Sequence, residues 1–254
     1  MSSVEDDLGL AERAARAAGE VLMARLEGPA KGVELKSSET DPVSDADRLA
    51  EQTITELLAA ERPRDGLLAE EGGRSQAESG RRWVVDPLDG TVNFLYGLPV
   101  WCVSVALEDG EGTALGVVHD PGRGETYRAA RGRGCELNGR PVGVRPCEGL
   151  ETALVATGFA YERERRASQA EVVQRLLPRV RDIRRAGAAA LDLAWLAAGR
   201  LDGYYERGLK PWDWAAGRLL VEEAGGASAE LPGEPPGLVA AHPALLPALA
   251  ELVE

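Results

Sequence analysis

Trp83-Val84-Val85 is a short apolar run that ends directly on Asp86, and Pro87, Leu88, Asp89, Gly90 and Thr91 follow. Such a run reads as a buried strand. The sheet holds its last residue, so the Asp86 carboxylate has a fixed place. Asp89, three residues on and past a proline, is able to curl back toward the same point. Two hard oxygen donors so placed suit Mg²⁺, which favours carboxylates, carbonyls and water. The Leu88 carbonyl between them is a candidate third donor. If a helix opens after Gly90, its free N–H groups point at an anion, and glycine lets that anion come close. A lone Asp-Gly is ordinarily a turn; the string DPLDGTVNF (86–94) is far more specific.

Other acidic groups stand at comparable places. Glu70-Glu71 closes the apolar Leu67-Leu68-Ala69 just before two glycines; by itself the pair reads as a solvated loop. Asp213, between Trp212 and Trp214, opens a predicted helix, where an aspartate is commonly an N-cap. One of its oxygens can cap while the other ligates. Asp41 and Asp47, in DPVSDAD (41–47), read as caps of the helix that follows.

Charge and composition narrow the chemistry. A net charge of −13 is wrong for a general nucleic-acid binder. It suits an anionic substrate only if some carboxylates hold cations that face the anion. His119 and His242 are the only histidines and no GxSxG occurs, which disfavours a serine hydrolase. Cys102, Cys135 and Cys147 form no CxxC and are odd in number, as expected of buried thiols in a reducing cytoplasm. Residues 1–20 carry Glu5, Asp6, Asp7 and Glu12, unlike a signal peptide, and no apolar run approaches the roughly 18 residues of a membrane span. The expectation is a cytoplasmic chain with no membrane or nucleic-acid partner.

Periodicity predicts helices over 4–26 and 44–61, the second capped by Ser44. Strands follow over 67–69, 83–85, 100–107 and 114–119, with turns at Asp109-Gly110 and Asn138-Gly139. Beyond residue 150 come a strand over 154–156, a helix over 168–180 that Pro178 can end early, and a helix over 186–200. A strand over 202–206, a helix over 213–224, a strand over 238–241 and a final helix from Pro243 close the chain. His242, just before that helix, reads as a capping or surface residue. The mixture points to a layered α/β or α+β architecture. Two intimate subdomains are expected, 1–148 with most candidate ligands and 149–254 with Asp213, acting as one catalytic unit.

In their order, these strings resemble the inositol monophosphatase family of Mg²⁺-dependent, lithium-sensitive phosphatases. DPLDGTVNF is similar to that family's DPIDGTTNF signature, and WDWAAGRLLVEEAGG (212–226) to its C-terminal WDxAAGxLLVxEAGG. DPVSDAD resembles its DxVTxxD segment, and LLAEEGG its GEE segment with Ala69 in place of glycine. GAAALDLAWLAAGRLDGYYE (187–206) also follows the family pattern.

The resemblance implies a five-layer α/β/α/β/α sugar-phosphatase fold, usually a homodimer, that hydrolyses a small phosphate ester. It implies two or three Mg²⁺ ions on Glu70, Asp86, the Leu88 carbonyl, Asp89 and Asp213. The attacking water falls to Glu70, Thr91 and Asp47, phosphate contacts to Gly90 and Thr91, and ring contacts to Ala189 and Glu206. Lys36 matches a lysine near the metals. Val92 and Ala188 depart from the family's usual residues and bear on substrate preference. Apart from the resemblance, Arg184 and Arg185, just before Gly187, are candidates to reach a substrate phosphate or a dimer partner. Inositol monophosphate, fructose 1,6-bisphosphate and histidinol phosphate are the candidate substrates.

Two rivals remain. A haloacid-dehalogenase-type aspartyl phosphatase needs DxD after an apolar strand, whereas Asp45-Ala46-Asp47 follows a turn. Some bacterial chains of this resemblance also associate with transcription or ribosomal-RNA machinery. Arg163, Arg165 and Arg166, or Arg181, Arg184 and Arg185, are candidate contacts for such a partner, although a solvated helix face is the plainer reading.

Overall fold

A computed structural model describes residues 3–26, 34–35, 42–43 and 45–254. Lys36, Asp41 and the expected cap Ser44 lie outside these residues. In chain order the elements are α1 (Val4–Leu26), β1 (Glu34–Leu35), β2 (Pro42–Val43), α2 (Asp45–Glu61), β3 (Gly66–Ala69), β4 (Arg74–Ser75), β5 (Arg82–Asp89) and α3 (Thr91–Leu95). Then come β6 (Cys102–Asp109), β7 (Gly112–Asp120), β8 (Glu125–Ala130), β9 (Cys135–Leu137), β10 (Arg140–Val142), β11 (Leu154–Thr157), α4 (Arg163–Leu176) and β12 (Asp182–Arg184). The chain closes with α5 (Ala189–Ala197), β13 (Gly203–Arg207), α6 (Pro211–Glu223), β14 (Ala227–Leu231), β15 (Gly237–Ala241) and α7 (Leu246–Val253).

Besides the short β1–β2 pair, an eight-stranded sheet runs β10-β9-β8-β7-β6-β5-β3-β4 and a five-stranded sheet runs β12-β11-β13-β15-β14. Alternation along β5 explains why the larger sheet is covered on both faces. Trp83 and Val85 face α1 and α2, joining Leu10, Leu22 and Ile54 in one core. Val84, between them, faces α5 and α6, joining Leu191, Leu196 and Leu220 in a second. The same two helices cover the smaller sheet through Tyr204 and Ala240. Its far face carries a third core, in which Val155, Tyr205 and Val239 meet Leu176 of α4 and Leu249 of α7. The five layers expected of the fold are therefore present. Small residues let them close: a Cβ on Gly116 of β7 would stand 2.8 Å from the Ala216 Cα of α6.

Polar groups fix the helix ends. Ser3 Oγ accepts from the Asp6 N–H while Asp6 Oδ2 accepts from the Ser3 N–H, a reciprocal cap that starts α1. The buried Asp7 takes Arg62 Nε and Arg81 Nη1, each at 2.6 Å, and Arg81 also reaches Asp65 Oδ2 at 2.7 Å. This network ties α1 to the end of α2 and the start of β5. No helix among the described residues is long and apolar enough to cross a membrane. All three cysteines are free and buried.

Several boundaries differ from the sequence expectation. The helix expected over 168–180 spans Arg163–Leu176. Leu176 is its only fully buried residue, so the apolar pattern gives a poor start signal. Its first turns instead fold back, Arg166 donating to the Ala160 and Tyr161 carbonyls and Gln169 accepting from the Ala160 N–H. The helix expected from 186 begins at Ala189, because Gly187 takes a left-handed φ of 93°. β1, β2, β4, β8, β12 and β14 have no counterpart among the strands expected from the sequence. The last two are the edges of the five-stranded sheet, where a strand needs fewer apolar residues to be held.

Candidate active site

Residues three apart on a regular strand face opposite ways, so Asp86 and Asp89 would be divided by the sheet. The pairing of β5 with β6 prevents this. Asp86 stands opposite Ser104 and Asp89 opposite Cys102, so one extra residue is inserted on β5 between them. That bulge turns both carboxylates to one side. Asp86 Oδ1 accepts from the Leu88 N–H at 3.0 Å, which fixes the bend at Pro87.

Both aspartates line a cavity of about 440 Å³, where Glu70 follows the end of β3 and Asp213 lies in the first turn of α6. Leu88, Gly90, Thr91, Ala189 and Glu206 line it too. Each element delivers its residue by its terminus. Gly90 has φ 94° and precedes α3; a Cβ there would lie 2.9 Å from the Val100 carbonyl oxygen. At α5, the Ala190 N–H donates to Asp89 Oδ2 at 2.7 Å. At α6, Asp213 is the third residue of the helix rather than the expected N-cap. The cap is Lys210, whose N–H donates to Asp213 Oδ2 at 2.7 Å.

Asp47 does not reach the cavity wall. It is fully buried on α2, and Thr91 Oγ1 lies 3.1 Å from its Oδ1 and 3.1 Å from the Leu88 carbonyl oxygen. Arg185 lines the cavity, its guanidinium over Phe159, whereas Arg184 turns away onto Asp182 at 2.6 Å. Arg184 is not among the residues that line the cavity, and its guanidinium is held by the carboxylate two residues back on β12. Lys36 lies outside the described residues.

The acids crowd one another. Burial pushes Asp86 well above the usual carboxylate range, and the charges on Glu70, Asp89 and Asp213 push it further. Burial raises Asp89 to about 6, against the opposing Ala190 N–H. Asp213 is raised by burial and by Glu70 and Asp89, against the opposing Lys210 N–H. Glu206 is raised to about 7, mainly by burial. Asp89, Glu206 and Asp213 keep part of their surface on the cavity but are otherwise enclosed by protein.

This oxygen-only donor set, strained by mutual repulsion, fits a hard divalent cation. Among the described residues no three acidic, His or Cys side chains already close on one point as a finished coordination sphere. Three of these carboxylates, Asp86, Asp89 and Asp213, each hold a backbone N–H group. A shared cavity and mutual pKa shifts are the features that an ion would draw together.

Sequence reasoning missed several groups here. The Tyr204 hydroxyl donates to Glu206 Oε2 at 2.8 Å; two residues apart on β13, they share a face, and the period of two was the available signal. The Cys102 thiol donates to Asp89 Oδ2 at 3.7 Å. Asp192 is buried on α5, with one oxygen unpartnered, and is raised by burial and by Glu206 and Asp89. Gly158 is needed where it stands, because a Cβ there would collide with the Glu206 carboxylate. Nothing in the sequence marked these three contacts.

A layered α/β chain with a cavity of hard oxygen donors beside a helix start has, as a class, the arrangement of a metal-dependent phosphoric monoester hydrolase. Similarity makes the assignment specific: a model of the inositol monophosphatase family matches residues 4–254, and the chain belongs to that family. It is 45% identical over 223 residues to "Nus factor SuhB" of Xylella fastidiosa, covering 87% of this chain and 80% of the relative. It is 46% identical over 202 residues to "Inositol-1-monophosphatase" of Mycobacterium bovis, covering 76% and 70%. The crystal structure of the extragenic suppressor protein suhB of Bartonella henselae superposes with a TM-score of 0.93 at 36% identity, covering 98% of each chain. The Thermotoga maritima IMPase superposes with a TM-score of 0.89 at 31% identity, covering 98% of this chain and 96% of that one.

Proposed function

We propose that this chain is a Mg²⁺-dependent phosphatase of inositol monophosphate or a closely related small polyol or sugar phosphate, acting by direct attack of water. One observation carries the reading: Glu70, Asp86, Asp89 and Asp213 line one cavity beside the start of α3. Glu70, Asp86, the Leu88 carbonyl, Asp89 and Asp213 would hold the ions. Bound there, Mg²⁺ supplies Lewis acidity toward the phosphate, a more acidic water and charge neutralisation at the leaving oxygen.

The protein's own groups do the rest. With the Leu88 carbonyl turned to a cation, the Thr91 hydroxyl donates its hydrogen bond to Asp47 Oδ1, and its lone pairs are left to accept from the attacking water. Glu70 takes a second hydrogen bond from that water and shares its proton. The N–H groups of Gly90 and Thr91 receive the charge that grows on the phosphoryl oxygens. Ala189 and Glu206 form the wall for the ring, with Tyr204 holding Glu206 in place. The same site would serve fructose 1,6-bisphosphate or histidinol phosphate by the same chemistry, and of the three esters only the bisphosphate brings a second anionic group for Arg185 on the wall to meet. We place the enzyme in the cytoplasm and expect a homodimer.

Asp89→Asn and Asp213→Asn test this reading on those three esters. Loss of about 100-fold or more in kcat/KM is expected, with phosphate release dependent on Mg²⁺ and inhibited by Li⁺. Near-wild-type turnover at saturating Mg²⁺ would refute the ligand assignment.

The Nus-factor name of the Xylella relative carries a second reading, a partner of transcription machinery. The arginines that would serve it are largely engaged at home. Arg165 pairs with Glu162, Arg166 with the Ala160 and Tyr161 carbonyls, Arg181 with the Thr152 carbonyl and Arg184 with Asp182. Capture of RNA polymerase by a chain without phosphatase activity would favour this reading over the first.

A further inference from the structure

The Asn93 side chain joins two segments that are distant in sequence. Its Nδ2 lies 2.7 Å from the Val100 carbonyl oxygen, 2.9 Å from that of Ala186 and 3.4 Å from that of Gly187. All three neighbours only accept, so the nitrogen, not the oxygen, must face them. The side chain is buried. Its own backbone carbonyl accepts from the Leu98 N–H at 2.8 Å, which closes the turn between α3 and Val100.

The three carbonyls belong to two segments that back different parts of the cavity, of which Gly187 alone lines it directly. Val100 lies under Gly90, on the side where the phosphate would sit. Ala186 and Gly187 lead into α5, which presents Ala189 to the cavity and the Ala190 N–H to Asp89. Arg185, on the same segment, also lines the cavity. One amide thus pins the phosphate side to the ring side across 93 residues of chain. The pin is tight from both ends: a Cβ on Gly187 would stand 3.2 Å from Asn93 Nδ2 and would collide with the Arg185 guanidinium, at a φ of 93°.

We propose that Asn93 is a positioning residue that sets the separation between the phosphate seat and the ring wall, and so selects ring-bearing leaving groups. It touches no reacting atom. It acts through the Ala186–Gly187 segment, which carries Arg185 and leads into Ala189. The inference rests on the phosphatase reading above.

Asn93→Ala and Gly187→Ala, compared with wild type on inositol 1-phosphate and on glycerol 2-phosphate, test it. The two esters share the phosphate side, but only the first needs the ring wall. For both variants kcat/KM on inositol phosphate is expected to fall roughly tenfold, mostly through KM, with glycerol phosphate changed by less than about twofold. Equal losses on both esters, or none on either, would overturn the inference while leaving the phosphatase reading intact. Should Asn93→Ala fail to fold, Gly187→Ala decides by the same ratio. Wild-type inactivity toward both esters with turnover of fructose 1,6-bisphosphate or histidinol phosphate would overturn the inference alone, and inactivity toward all of these esters would overturn both readings.

Discussion

Thr91 Oγ1 lies 3.1 Å from Asp47 Oδ1, a contact between the first residue of α3 and a fully buried carboxylate on α2. The hydroxyl has one proton, and the Leu88 carbonyl competes for it at the same distance. If the Leu88 oxygen turns to a cation, Asp47 becomes the acceptor and the Thr91 lone pairs are aimed at water. Asp47→Asn keeps the shape but replaces an acceptor by a group that can present donors. Its kcat is expected to fall about 100-fold, with KM and Tm little changed. Thr91→Ser should retain most activity and Thr91→Val lose it. Steady-state kinetics on the three variants checks the set, and an Asp47→Asn enzyme of normal kcat would remove Asp47 from the mechanism.

Gly90 has no room for a side chain and no conformational alternative. Its φ is 94°, and an added Cβ would meet the Val100 carbonyl oxygen at 2.9 Å, a backbone atom that cannot swing aside. Gly90→Ala should therefore destabilise the fold by about 2 kcal/mol. It should also tilt the first N–H groups of α3 and weaken inorganic phosphate as a product inhibitor. Denaturant unfolding and a phosphate inhibition constant measure the two effects. A variant of unchanged stability would mean that α3 shifts freely, and the seat would then not be fixed by Val100.

The acids were legible because each follows an apolar run or opens a helix. Trp83-Val84-Val85 before Asp86 could hardly be anything but a strand delivering a carboxylate. The bulge that puts Asp89 on the same side was not legible, since it depends on register against Ser104 and Cys102. Arg184 and Arg185 differ by one position, and only the direction of β12 decides that the second faces the cavity. Asn93 stood within the most conspicuous string of the chain, yet its partners at 186 and 187 are set by tertiary packing. β14, with its half-exposed Ala-Ser-Ala-Glu, is held by pairing with β15 rather than by apolar burial, so its composition gave no cue.

Arg81 joins two buried carboxylates, Asp7 and Asp65, that no other element would bring together. Trp83 Nε1 also donates to Asp65. Removing the guanidinium leaves two acids enclosed with less compensation. Arg81→Met is expected to destabilise by about 3 kcal/mol, whereas Arg82→Met, whose pair with Glu108 is more exposed, should change stability by less than about 1 kcal/mol. Urea unfolding of both distinguishes a buried network from an ordinary surface pair; equal effects would mean the Asp7 cluster adds nothing.

The acidic cavity makes stability depend on pH and Mg²⁺ together. Asp89 is raised from an ordinary 3.8 to about 6, and Asp86 and Asp213 move the same way. A carboxyl with a raised folded pKa binds its proton more tightly in the folded state. Its stabilising contribution is complete below the unfolded value and is lost as pH rises through the folded one. In EDTA, therefore, Tm should fall as pH rises from about 4 toward 7. A divalent cation replaces those protons and binds the ionised folded site, so it stabilises by mass action only where the carboxylates are charged. The rise in Tm on adding Mg²⁺ should be small near pH 4 and grow through about pH 6. Asp213→Asn removes one of the repelling charges, so it should flatten the EDTA profile while reducing the gain from Mg²⁺. Calorimetric scans at several pH values, with and without Mg²⁺, measure both slopes. A gain from Mg²⁺ independent of pH, or equal in Asp213→Asn, would place the cation somewhere other than this cluster.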